Sequence, residues 1–174
     1  MNCPDREGLA VSALVVLAML APCLTRAAEP IGGSDGINVA AAGGTLGVQT
    51  GNGVTQFRMT AEGQYGLMKL QPQVELDAAG HIGLLVGDST TFEIVPAARV
   101  RYLADQNLSF YGDGGLGIAF ASSSTWGILR FAAGAQYRVT PQVSVMVEPV
   151  GLNIYFGSGA GFQYGFALGA LYAF

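Results

Sequence analysis

The stretch Phe162-Gln163-Tyr164-Gly165-Phe166-Ala167-Leu168-Gly169-Ala170-Leu171-Tyr172-Ala173-Phe174 decides the fold. Taken two residues at a time, it places Phe162, Tyr164, Phe166, Leu168, Ala170, Tyr172 and Phe174 on one face. Gln163, Gly165, Ala167, Gly169, Leu171 and Ala173 fall on the other. That period of two belongs to a β-strand, whose successive side chains point to opposite faces.

The alternation extends upstream and acquires charge. Leu108, Phe110, Gly112, Gly114, Leu116, Ile118 and Phe120 share one parity, with Ser109, Tyr111, Asp113, Gly115, Gly117 and Ala119 on the other. A sixth strand sets Leu129, Phe131, Ala133, Ala135, Tyr137 and Val139 against Arg130, Gln136 and Arg138. A fourth sets Phe92, Ile94, Ala98, Val100 and Tyr102 against Glu93, Arg99 and Arg101. Strand three adds Glu75, Asp77 and His81 to the polar side, strand two adds Arg58, Glu62 and Gln64, and strand seven adds Glu148.

The polar side therefore collects six acids and five arginines, with His81 as a further possible cation. A soluble ligand-binding barrel has the reverse polarity, an apolar cavity inside a polar shell. Apolar outside and charged inside means that lipid is the solvent. Arg turned to lipid at the midplane costs about 2–4 kcal/mol, so a one-residue slip in register is strongly penalised.

Turn residues cut the chain at even intervals. Gln71-Pro72-Gln73, Asp105-Gln106-Asn107 and Thr140-Pro141-Gln142 alternate with Gly51-Asn52-Gly53, Gly87-Asp88-Ser89, Ser122-Ser123-Ser124 and Gly157-Ser158-Gly159. They leave eight segments, 38–50, 55–69, 73–87, 90–104, 107–121, 125–139, 143–156 and 160–174. Each exceeds the ~9–11 residues that a tilted strand needs to cross the hydrocarbon. Tyr65, Tyr102, Tyr137 and Tyr172 recur near one end of the even strands, with Phe57, Phe92 and Phe162 near the other. Their separation along a tilted strand is roughly 20–26 Å, close to the ~25 Å apolar band between two aromatic girdles.

Two positions resist a simple alternation. Trp126 shares the parity of Arg130 and so points inward. Outward parity in strand seven changes from Val143, Val145 and Val147 to Val150, Leu152, Ile154 and Phe156, which predicts a bulge at Pro149. The first strand, from Ile37, is rich in Gly and Ala and has the weakest face.

Residues 1–28 read as a secretory signal peptide, with an apolar core from Leu9 to Leu20 and cleavage after Ala27 or Ala28. Its n-region has little net charge, because Arg6 lies between Asp5 and Glu7. An uncleaved anchor is one alternative. A lipoprotein acylated at Cys23 is another, which Pro22 disfavours. Residues 29–36 form a short linker and 37–174 the barrel. Both cysteines, Cys3 and Cys23, lie in the leader, so the mature chain has neither a disulfide nor a cysteine metal site. Charged residues make up 11% of the chain, mean hydropathy is +0.41 and the net charge is −4, which excludes a nucleic-acid partner.

In strand number, polarity and terminal strand, residues 37–174 resemble the small outer-membrane barrels of the OmpA, OmpX and OmpW type. The sharpest element is the alternating set Phe166, Leu168, Ala170, Tyr172 and Phe174. The resemblance implies that the barrel-assembly machinery reads this set as a C-terminal signal. It also implies an all-β, up-and-down antiparallel transmembrane barrel of eight strands in the bacterial outer membrane, surrounded by lipid and monomeric, with both termini periplasmic.

The expected function is structural, with Arg58, Glu62, Glu75, Asp77, His81, Glu93, Arg99, Arg101, Asp113, Arg130, Arg138 and Glu148 as a network filling the lumen. A narrow passive pore is the alternative, and a lipid-modifying enzyme a weaker one. His81 has no His-x-Ser context, so no catalytic residue is assigned. No cofactor or metal is implied, and the short outer loops offer little surface for a protein partner.

Overall fold

The computed structural model describes residues 40–122, 124–157 and 160–174. These form eight strands: β1 (Ala40–Gly51), β2 (Val54–Gln71), β3 (Val74–Val86), β4 (Thr90–Leu103), β5 (Leu108–Ala121), β6 (Ser124–Arg138), β7 (Val143–Gly157) and β8 (Gly161–Ala173). Every strand pairs antiparallel with its neighbour in sequence. β8 returns to β1 in a register that sets Leu46 opposite Leu168, so the sheet is a closed barrel. Closure leaves no edge and satisfies the backbone between strands. The leader, the linker and the expected onset of the first strand at Ile37 lie outside the described residues.

Local chemistry sets the turns. Asn52 and Gly53 have φ of 52° and 78°, the two positive values that a type I′ hairpin requires and that Asn-Gly supplies. At the other end of the barrel, the Asp105 carboxylate accepts the backbone N–H groups of Asn107 and Leu108, both at 2.7 Å. The Thr140 hydroxyl accepts that of Val143 at 2.9 Å. Such short-range bonds let a strand reverse without leaving backbone donors unpaired.

Strand bounds follow the sequence expectation closely except in β2, which runs on to Gln71. Register shifts at Gly66/Met68 and Lys69/Gln71 bend this extension. The predicted bulge in β7 is present. Pairing with β8 shifts between Glu148 and Gly151 and pairing with β6 between Ala133 and Ala135, so Pro149 and Val150 both face outward.

β1, the strand whose face was hardest to read from sequence, meets β8 by close backbone approach. A Cβ on Gly47 would lie 2.1 Å from the Phe166 carbonyl oxygen, so only glycine permits the curvature there.

Facing follows the alternation. Leu46, Leu116, Phe131, Val150, Phe166 and Leu168 are exposed on the outside, whereas the interior holds Arg99, Asp77 and Glu93 at 0% exposure. The described residues that are both charged and exposed are Lys69, Asp88, Asp105 and Arg138, all near strand ends or in turns, so the middle of the outer surface carries no charge.

Candidate functional site: the barrel interior

Four arginines serve six acids inside the barrel. Nearest the chain ends, Arg101 donates to Glu75 at 2.7 Å, and its Nε lies 3.2 Å from Asp77. One level further in, Arg99 bridges two strands: one guanidinium nitrogen is 2.5 Å from Glu62 and another 2.6 Å from Asp113. The Glu62 side also presents Gln64, which accepts from Arg99 at 3.1 Å, and the Tyr111 ring lies 4.1 Å from the guanidinium carbon. Arg130 holds Glu148 at 2.5 Å, and Arg58 faces Glu93 at 3.4 Å.

His81 lies between two acids, its ring nitrogens 3.7 Å from Glu62 and 3.4 Å from Asp113. It is 2% exposed, and neither ring nitrogen meets a serine hydroxyl among the described residues. No group of three or more metal-ligating side chains occurs among them either.

Beyond the charges, toward the mouth opposite the chain ends, an amide and phenol chain takes over. Asn153 donates to Gln49 at 2.8 Å, and Gln49 donates to the Tyr155 hydroxyl at 2.9 Å and to Gln163. The Tyr155 hydroxyl donates in turn to Glu93. This extension was not assigned from sequence. Asn153 and Tyr155 take inward parity only after the β7 bulge, and Gln49 belongs to the Gly-rich first strand. Carrying the period of two through the bulge is the signal that finds them.

The interior is also more apolar than expected. Ala41, Tyr111, Met146 and Leu171 form one buried cluster, and Leu85, Val95, Ala119 and Ile128 are each 0% exposed.

Of the expected network, Arg58, Glu62, Glu75, Asp77, His81, Glu93, Arg99, Arg101, Asp113, Arg130 and Glu148 are all buried. Arg138 is the correction. It has inward parity but is exposed at the mouth nearest the chain ends and forms no ion pair among the described residues. As the last residue of β6, it reaches water rather than the packed interior.

Phe57, Tyr65, Tyr102, Tyr137, Phe162 and Tyr172 face outward and are exposed; Phe92 is half-buried against Phe120, ring centroids 6.5 Å apart. Phe131 and Phe166 also face outward in mid-strand, so aromatic residues are not confined to two belts. Phe166, Leu168, Ala170 and Tyr172 lie on the exposed face of β8, and Phe174 follows that strand in the chain.

No protein-family model and no curated protein matches the sequence. Solved structures do. Ail, the attachment invasion locus protein of Yersinia pestis, superposes with a TM-score of 0.53 at 14% identity, over 80% of this chain and 99% of its own. Neisserial surface protein A gives 0.55 at 13% identity, over 79% and 97%. The outer membrane enzyme PagL gives 0.52 at 15% identity, over 78% and 98%. Strand number, closure and these likenesses agree: the chain has the fold of the small eight-stranded outer-membrane β-barrels.

Proposed function

We propose that the protein is an integral barrel of the bacterial outer membrane with a structural role, its lumen closed by its own side chains. The observation that carries this reading is the burial of the charged network. Arg99, Asp77 and Glu93 are wholly buried, and Arg58, Glu62, Arg130 and Glu148 are 6% exposed or less. Side chains lining a water-filled path would be wetted along it.

The uncharged, apolar middle of the outer surface supports lipid as the surrounding medium. Eight strands bring β1 to begin and β8 to end at one mouth, which for a chain exported by the expected leader is the periplasmic one. The outward set Phe166, Leu168, Ala170, Tyr172 and Phe174 is the segment the assembly machinery reads before β8 closes on β1. A non-catalytic barrel is the reading that a carboxylate-flanked, inaccessible His81 supports.

The test is conductance of the mature protein in planar bilayers, in preparations whose unboiled gel band shifts on heating. We expect a β-type circular dichroism spectrum, a heat-dependent shift and no channel events. Regular conductance steps from such protein would replace the closed lumen with a pore.

A further inference from the structure

We propose that the mouth opposite the chain ends is a binding site for a small neutral saccharide. A cavity of about 300 Å³ opens there, at the lower end of the range of small-molecule sites. Asn52, Gln56, Thr91, Trp126, Tyr155 and Gln163 line it, and no charged side chain does among the described residues. Its chemistry differs from that of the interior below. An anion or cation would find no counter-charge, whereas a polyhydroxyl ligand would find donors and acceptors beside an aromatic face.

The polar groups are arranged with capacity to spare. Gln163 donates to the Gln56 carbonyl oxygen at only 3.4 Å, and Gln56 donates to the Ser89 backbone at 3.2 Å. Each carboxamide therefore keeps a second N–H, and each carbonyl a further lone pair. The Trp126 indole N–H has no partner among the described residues. Trp126 is the only tryptophan of the chain, and the inward parity of β6 turns it away from lipid, which is the usual neighbour of a barrel-rim tryptophan. An aromatic ring with a free polar handle suits a ligand that is apolar on one face and hydroxylated at its edges.

Glycines make room for these amides. A Cβ on Gly161 would lie 2.1 Å from the Asn52 amide nitrogen, and one on Gly87 would lie 2.9 Å from Gln56 Cγ. The Asn52 amide thus lies across β8 only because residue 161 has no side chain.

Trp126 is also the reporter for the test. The mature barrel, refolded in a zwitterionic detergent without a sugar headgroup, is titrated with methyl glucoside, with maltose, with sodium phosphate and with hexanol while indole emission is followed. We expect a saturable change with the saccharides, half-complete in the millimolar range, and none with phosphate. Asn52→Gly keeps a residue that tolerates positive φ and removes the amide; Gln163→Ala removes the second amide from β8. Both should weaken the saccharide response at least five-fold while retaining the heat-shifted gel band. The proposal is overturned by the absence of a saturable saccharide response in heat-shifting protein. Equal responses in wild type and both variants, or saturation by hexanol alone, overturn it too. Conductance does not enter these readouts, so they stand or fall independently of the closed-lumen reading.

Discussion

Arg99 shows how one residue can hold the interior together. It reaches Glu62 on β2 and Asp113 on β5 from β4, at 2.5 and 2.6 Å, so its removal leaves two buried carboxylates facing each other and His81. Loss of one partner from a buried ion pair costs about 3–5 kcal/mol. Arg99→Met should destabilise the barrel by at least about that much, measured by urea unfolding in lipid vesicles. A loss within about 1 kcal/mol would mean that the network is solvated after all. Asp105 acts at the surface. The two backbone N–H groups that its carboxylate accepts hold its pKa below the ordinary carboxylate range. A depressed folded-state pKa contributes stability that is present above the unfolded value, about 3.9, and is lost as pH falls through the folded one. Hydrogen-exchange protection at Asn107 and Leu108 should therefore fall on acidification below about pH 4, and Asp105→Ala should remove that acid dependence.

Among the elements, β7 separates what alternation alone predicts from what the bulge adds. Because Pro149 and Val150 both face out, deleting Val150 restores a strict alternation of Glu148 in, Pro149 out, Gly151 in, Leu152 out and Asn153 in. Deleting Ala132 from the unbulged middle of β6 must instead turn either Arg130 and Ile128 or Gln136 toward lipid. The Val150 deletion is expected to keep its heat-shifted gel band and the Ala132 deletion to lose it; the opposite order would show that β7 is not bulged there. The bulge was legible because a proline coincided with a change of parity. β1 was less legible because Gly43, Gly44 and Gly47 carry no side chain by which to read a face. Their role is visible only once the Phe166 carbonyl lies where a Gly47 side chain would have been.

For the whole molecule, the apolar exterior and the paired interior are two consequences of one alternation. Leu116 is 60% exposed near the middle of β5. Leu116→Arg should cost about 2–4 kcal/mol when the barrel is folded into phospholipid vesicles. The same change in an exterior facing water would be nearly neutral, so urea unfolding of the vesicle-inserted variant tests the lipid assignment directly. The period of two, the turn residues and the scarcity of outward charge determined from sequence that this is a barrel of about eight strands with a charged lumen. Those are local properties, each set by a residue and its nearest chain neighbours. Tertiary structure decided which arginine serves which acid, that Arg138 reaches water, and that Asn153, Tyr155, Gln49 and Gln163 form one hydrogen-bonded chain. Those pairings join strands up to 114 residues apart in sequence. They depend on the stagger of the closed barrel, which fixes the height of each inward side chain and which no single strand encodes.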